Sequence, residues 1–129
     1  MKDVTHAELA VLEALWDHAP QAVRELSERL YDTGGTAEQA TVQKLLDRLR
    51  DKGFVARERD GRAYRFRPTL ARDALIERRL QAVADQLCGG SLSPLITHLV
   101  RGRRLKPADV KELQGLLEDL DRRRRRKGR

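Results

Sequence analysis

Apolar residues return every three or four positions along most of this chain, and the breaks between runs mark its elements. Leu9, Leu12, Leu15 and Trp16 share one face of a first helix, opened by Thr5-His6-Ala7-Glu8. In that motif a hydroxyl and a carboxylate satisfy backbone donors reciprocally, with Val4 and Leu9 placed to close over it. Pro20 ends this element. A second helix is predicted over about 22–31, with Val23, Leu26 and Leu30 inward, and Asp32-Thr33-Gly34-Gly35 stops it. Thr36-Ala37-Glu38-Gln39 reads as another capping box, leading into Val42, Leu45, Leu46 and Leu49 on a third helix. Lys52-Gly53 suits its end, because a cation complements the negative helix terminus and glycine accepts the left-handed conformation. Asp60-Gly61 then predicts a hairpin pairing 54–59 with 62–67, and Pro68 terminates it.

After Pro68 the pattern changes. Ile76, Leu80, Val83 and Leu87 form a heptad seam, broken by Gly89-Gly90. A short helix follows with Leu92, Leu95, Ile96, Leu99 and Val100 on one side, Ser93 as its cap and Pro94 in its first turn. Pro107 begins a last helix whose seam is Val110, Leu113, Leu117 and Leu120. Narrow stripes on three short helices without an aromatic residue make a poor monomeric core, and a second copy is the cheapest partner. The expected organisation is therefore a folded unit over 1–68, a three-helix dimerisation unit over 69–121, and a disordered basic tail over 122–129.

Charge sharpens this picture. The chain of 129 residues carries a net +7, but seven basic groups lie in 122–129, so residues 1–121 are neutral overall. That body is polarised: −5 over 1–43, +5 over 44–67 and 0 over 68–121. No apolar run is long enough to span a membrane and the N-terminus lacks a signal-peptide core, which predicts a cytoplasmic protein without membrane insertion. The lone Cys88 excludes an internal disulfide and a thiolate metal cluster.

Helix, helix, turn, helix and hairpin is the order of a winged helix-turn-helix domain, and the basic block begins on the third helix, where such a domain meets DNA. The fold class expected is thus mainly α with a small β-hairpin: a winged helix-turn-helix domain followed by a helical dimerisation domain. Opposite its apolar face the third helix presents Ala40, Gln43, Lys44 and Asp47, with Thr41 and Arg48 at the margins. Gln can bond adenine, Lys guanine, and the Ala and Thr methyls can touch thymine, while Arg48 can reach phosphate or guanine. Asp47 can accept from cytosine, but orienting Lys44, Arg48 or Arg50 is the favoured role. A merely solvated helix face is the alternative. On the hairpin, Arg57, Arg59, Arg62, Arg65 and Arg67 divide between two faces, and Arg59 and Arg62, beside the tip, are the expected wing contacts. Phe54, Val55, Tyr64 and Phe66 are read as packing the hairpin on the helices.

The remaining chemistry is sparse. His6, His18 and His98 lie in separate elements without ligand spacing, so no metal and no cofactor is expected. Cys88 reads as a packed thiol, and Ser91 and Ser93 as caps. An enzyme is not expected.

Thr5-His6-Ala7-Glu8-Leu9, Leu15-Trp16, the run from Ala40-Thr41-Val42-Gln43-Lys44 through Leu49, Lys52-Gly53-Phe54-Val55, and Gly61-Arg62-Ala63-Tyr64-Arg65-Phe66-Arg67-Pro68 together resemble the penicillinase-repressor group of BlaI/MecI/CopY type. Gly89-Gly90-Ser91-Leu92 and the helix from Leu113 to Leu120 resemble its dimerisation region. The resemblance implies a homodimeric winged-helix repressor that binds double-stranded operator DNA as an inverted repeat and controls a stress or antibiotic-resistance response. It also implies an upstream membrane sensor protease, which in β-lactam-responsive members cuts an Asn-Phe bond; the corresponding positions here are His98 and Leu99. The copper-responsive members carry a C-terminal Cys-x-Cys cluster that has no counterpart after Cys88. An architectural DNA-binding protein dominated by the arginine tail, and a protein-interaction adaptor, are the rival classes.

Overall fold

A computed structural model describes residues 3–102 and 105–128. Met1, Lys2 and Arg129, which entered the reading of the two ends, lie outside these. The chain divides into two compact units, 1–77 and 78–129.

In the first unit, α1 (His6–Asp17) begins at the expected capping box: the Glu8 N–H donates to the Thr5 hydroxyl, and the Thr5 N–H donates to Glu8 Oε1 at 2.8 Å. Next come β1 (Gln21–Ala22), α2 (Val23–Tyr31), α3 (Thr36–Asp51), β2 (Val55–Asp60) and β3 (Ala63–Pro68). The strands form one antiparallel sheet in the order β1-β3-β2. Val42, Leu46 and Leu49 of α3 are fully buried with Leu12 of α1, Leu26 of α2 and Phe66 of β3, so three helices and the sheet close on one core. The structure is a mainly helical winged helix, as the order of elements predicts.

Several local expectations change. Thr36 is the first residue of α3 rather than its cap; Gly35 occupies the cap position, and Gln39 instead reaches back to the Gly34 carbonyl. Asp60 pairs with Ala63, so the hairpin loop is Gly61-Arg62, one residue later than the Asp-Gly signal implies. A positive φ of 66° at Gly61 alone is the arrangement of a type II′ turn, which puts the glycine first. β1 was not foreseen, since two residues are too few to show alternation. The end of α3 follows expectation: the N–H groups of Gly53 and Phe54 donate to the carbonyls of Arg50 and Leu49, the paired bonds of a Schellman motif, with Gly53 at φ 81°.

The first unit also extends past Pro68. Leu70 and Leu75 are buried in its core, and the Trp16 indole N–H donates to the Leu70 carbonyl at 2.8 Å. The segment opening α4 (Arg72–Leu87) is thereby tied to α1.

The second unit holds the rest of α4, α5 (Ser93–Arg101) and α6 (Pro107–Lys127). Ser93 is the first residue of α5 and does not cap it; its N–H donates to the Ser91 hydroxyl. Where self-repulsion predicts a disordered tail over 122–129, α6 runs through the arginines to Lys127. Arginine is a good helix former, cations favour a helix C-terminus, and Arg122 bonds Asp119 one turn back at 2.7 Å. Among the described residues, no helix is long and apolar enough to cross a membrane.

Candidate nucleic-acid interface

The face of α3 opposite its buried stripe is open. Ala40, Thr41, Lys44, Asp47 and Arg48 are exposed and Gln43 is half-buried. Its side chains are not equally available. The Thr41 hydroxyl donates to the Ala37 carbonyl at 3.1 Å, which occupies its donor and leaves the methyl for apolar contact. Gln43 Nε2 donates to Asp47 Oδ1 at 2.9 Å, so Asp47 orients Gln43 and not Lys44, Arg48 or Arg50. Lys44 and Arg48 have no carboxylate within 4.0 Å among the described residues and stand as available cations.

The wing sorts its arginines by the pleat of the sheet. Arg65 and Arg67 share a face with Glu58 and Asp60 and are engaged there: Arg67 meets Glu58 at 3.3 Å, while Arg65 meets Glu25 at 3.3 Å, Asp60 at 3.9 Å and the Pro20 carbonyl at 3.0 Å. Arg57 and Arg59 lie on the other face with Tyr64. Their guanidinium carbons sit 4.0 and 5.6 Å from the Tyr64 ring centre, and neither has a carboxylate partner among the described residues. Stacking on an aromatic face holds a guanidinium without consuming its charge. Arg57 is not among the expected wing contacts, although strand alternation alone places it on the face of Tyr64.

Helix and wing meet in one open hollow. Gln39 and Gln43 of α3, Arg62 at the hairpin tip, and Tyr64 and Phe66 of β3 all line it. Two expected site residues from separate elements, Gln43 and Arg62, are thereby brought together. Phe54, Val55 and Phe66 are buried, as a hairpin packed on helices requires.

The frame behind this surface is pinned by a buried ion pair absent from the sequence reading. Glu8, with no exposed surface, receives Lys52 Nζ at 2.6 and 3.0 Å on its two oxygens, and the same ammonium donates to the Asp3 carbonyl at 2.7 Å. Burial by itself would raise the Glu8 carboxyl; hydrogen bonds from Lys52 and from the Thr5 backbone and hydroxyl outweigh it and hold the group below its ordinary range. Gln21, also buried, donates to the Ala14 and His18 carbonyls and so satisfies the C-terminal end of α1.

The residues expected to support dimerisation lie mostly open on the second unit. Ile76, which precedes it on α4, is exposed, as are Leu80, Val83 and Leu87, Leu99 on α5, and Val110, Leu113, Leu117 and Leu120 on α6; Leu95 is half-buried. Leu87 reaches 79% exposure and Leu117 62%, values far from those of a packed core. His98 and Leu99 lie inside α5 and line a hollow with Leu80, Val83, Leu95 and Gly102. Cys88, after the end of α4, is half-buried.

Residues 4–119 match the family model described as penicillinase repressor. The penicillinase repressor of Bacillus licheniformis is 25% identical over 116 residues, covering 90% of each chain. The transcriptional regulator BlaI of Mycobacterium tuberculosis (strain ATCC 25618 / H37Rv) is 34% identical over 105 residues, covering 80% of this chain and 75% of its own. Among solved structures, a variant of Lactococcus lactis ZitR aligns over 94% of this chain and 75% of its own, with 16% identity and a TM-score of 0.45.

Proposed function

The chain belongs to the penicillinase-repressor family of transcriptional regulators, and on that premise we propose that it acts as a homodimeric repressor on an inverted-repeat operator. Each protomer's α3 enters the major groove of one half-site, and the β2–β3 wing grips the neighbouring backbone. Ala40, Thr41, Gln43 and Lys44 meet base edges, with Asp47 fixing the Gln43 amide; Arg48, Arg57, Arg59 and Arg62 take phosphates. One observation carries this assignment: Gln43 of α3 and, from the wing, Arg62 and the Tyr64 ring on which Arg57 and Arg59 stack line the same hollow.

Dimerisation is supported by the leucines left open on α4, α5 and α6, a surface too apolar to stay in water when a twofold copy can cover it. Two such protomers present their recognition helices about 34 Å apart, one turn of the duplex. The name of the Bacillus licheniformis relative supports a resistance response as the controlled function. Release by a membrane sensor protease at His98–Leu99 belongs to the same proposal; the bond lies within α5, so that turn must unwind before it is cut.

Gel-shift titration against fragments of the source genome tests the proposal. A small set of fragments sharing an inverted repeat should bind at least a thousandfold tighter than the rest at physiological salt. Affinity independent of sequence would refute it and leave the architectural alternative.

A further inference from the structure

We propose that the basic end of α6, residues 122–127, is a second polyanion-binding element, taking the phosphate backbone of duplex DNA without regard to sequence. It lies beyond the family match, which stops at residue 119. Six consecutive cations on a continuous helix, at 100° per residue, ring it completely, so that any approach meets several of them. Arg122 is paired with Asp119, whereas Arg123, Arg124, Arg125, Arg126 and Lys127 are exposed and have no carboxylate within 4.0 Å among the described residues. Like charges three and four residues apart repel along a helix, and an anion threading between them relieves that repulsion.

Duplex DNA fits this element better than other polyanions. Along the helix these cations rise by about 1.5 Å each. A duplex carries one phosphate charge per about 1.7 Å of its axis, about twice the density of a single strand. Five of the six are arginine, whose planar fork binds phosphate bidentately. Residues 122–127 include no apolar side chain to insert into a lipid surface. Because residues 1–121 are neutral overall, six of the protein's seven net positive charges, and with them most of the long-range attraction to a polyanion, reside in this segment. The proposal rests on the DNA-binding function above only in its choice of polyanion.

The test uses the full chain and a variant carrying Arg123→Gln, Arg124→Gln, Arg125→Gln and Arg126→Gln, since glutamine keeps helix propensity. Binding to a random-sequence duplex of about 30 base pairs is followed by fluorescence anisotropy from about 50 to 300 mM salt. The slope of log affinity against log salt should become shallower by about 0.9 for each engaged arginine, more than 2 in all, with over tenfold weaker binding at low salt. Helicity and sedimentation should not change, and the matching Arg→Lys set should restore the slope. An unchanged slope overturns the proposal, as does a loss seen on single-stranded RNA or phosphatidylserine vesicles but not on the duplex. Lys44→Ala, measured in parallel, separates the two ideas: it should relax operator selectivity, whereas the loss of the tail arginines should weaken every duplex sequence alike.

Discussion

Gln43 donates its side-chain amide to Asp47 across one turn of α3, Nε2 to Oδ1 at 2.9 Å, and this bond fixes which way the amide points. Substituting Asp47→Ala frees the amide and removes a negative charge from the surface proposed to meet DNA. Discrimination at one operator position should fall by about 1–2 kcal/mol, roughly tenfold, while binding to unrelated duplex strengthens slightly. Competition against operators altered one base pair at a time measures both. A uniform gain across every sequence, with discrimination intact, would leave the bond without a part in readout. Gln43→Ala and Lys44→Ala should likewise relax selectivity, each at its own position.

On the wing, position along the strand predicts effect. Arg57 and Arg59, stacked on Tyr64, retain their charge for phosphate, so Arg57→Ala and Arg59→Ala should each flatten the salt dependence by about 0.9. Arg65 is committed to Glu25, Asp60 and the Pro20 carbonyl. Arg65→Ala should therefore leave the salt slope alone and cost about 0.5–1 kcal/mol of stability, an amount already reduced for the partial exposure of this pair. Equal slopes for Arg57→Ala and Arg65→Ala would contradict the division between the two faces.

The buried Glu8–Lys52 pair gives the fold a pH dependence with a definite sign. The Glu8 carboxyl lies below its ordinary value when folded, so the unfolded chain binds more protons in the window between the folded value and the ordinary 4.5. Its contribution is complete above that window and is lost as pH falls through it. Glu8→Gln should remove this acid-side loss from the melting-temperature profile. At neutral pH the same change should cost about 2 kcal/mol or more, because Lys52, only partly exposed, loses its counterion. Thermal melts at stepped pH measure both effects, and parallel profiles for the two proteins would remove Glu8 from the acid response.

Much of this was legible because it is periodic or local. Val42, Leu45, Leu46 and Leu49 fix which side of α3 is buried, and hence which side is open, by spacing alone. Lys52-Gly53 marks a helix end through the one conformation glycine accepts most readily. What stayed hidden depends on residues distant in sequence. Lys52 finds Glu8 only after α1 and α3 have packed, and Gln21 pairs with Phe66 only after the hairpin has folded back. Arg57 and Arg65 fall on opposite faces in the expected register and in the observed one alike, but the partner that commits Arg65, Glu25, comes from a helix 40 residues away. The tail misled for a different reason: its charge argues for disorder, whereas its arginine content and its place at a helix C-terminus favour continuing the helix.

The proposed dimer can be tested at a residue that lies outside the N-terminal unit. Leu117 on α6 is 62% exposed and lies outside the first unit, so Leu117→Asp opens no cavity and buries no charge within a protomer. In a twofold assembly the same change sets a carboxylate into the covered apolar face of each copy, and it should drive the protein to monomer in sedimentation experiments. Operator binding should then fall by about 10²–10⁴, since two half-sites no longer share one tethered pair of recognition helices. Affinity for a single half-site, and the melting of the N-terminal unit, should be preserved. Leu80→Asp on α4 should act alike, and a variant that stays dimeric with either change would show that the exposed leucines serve something other than self-association.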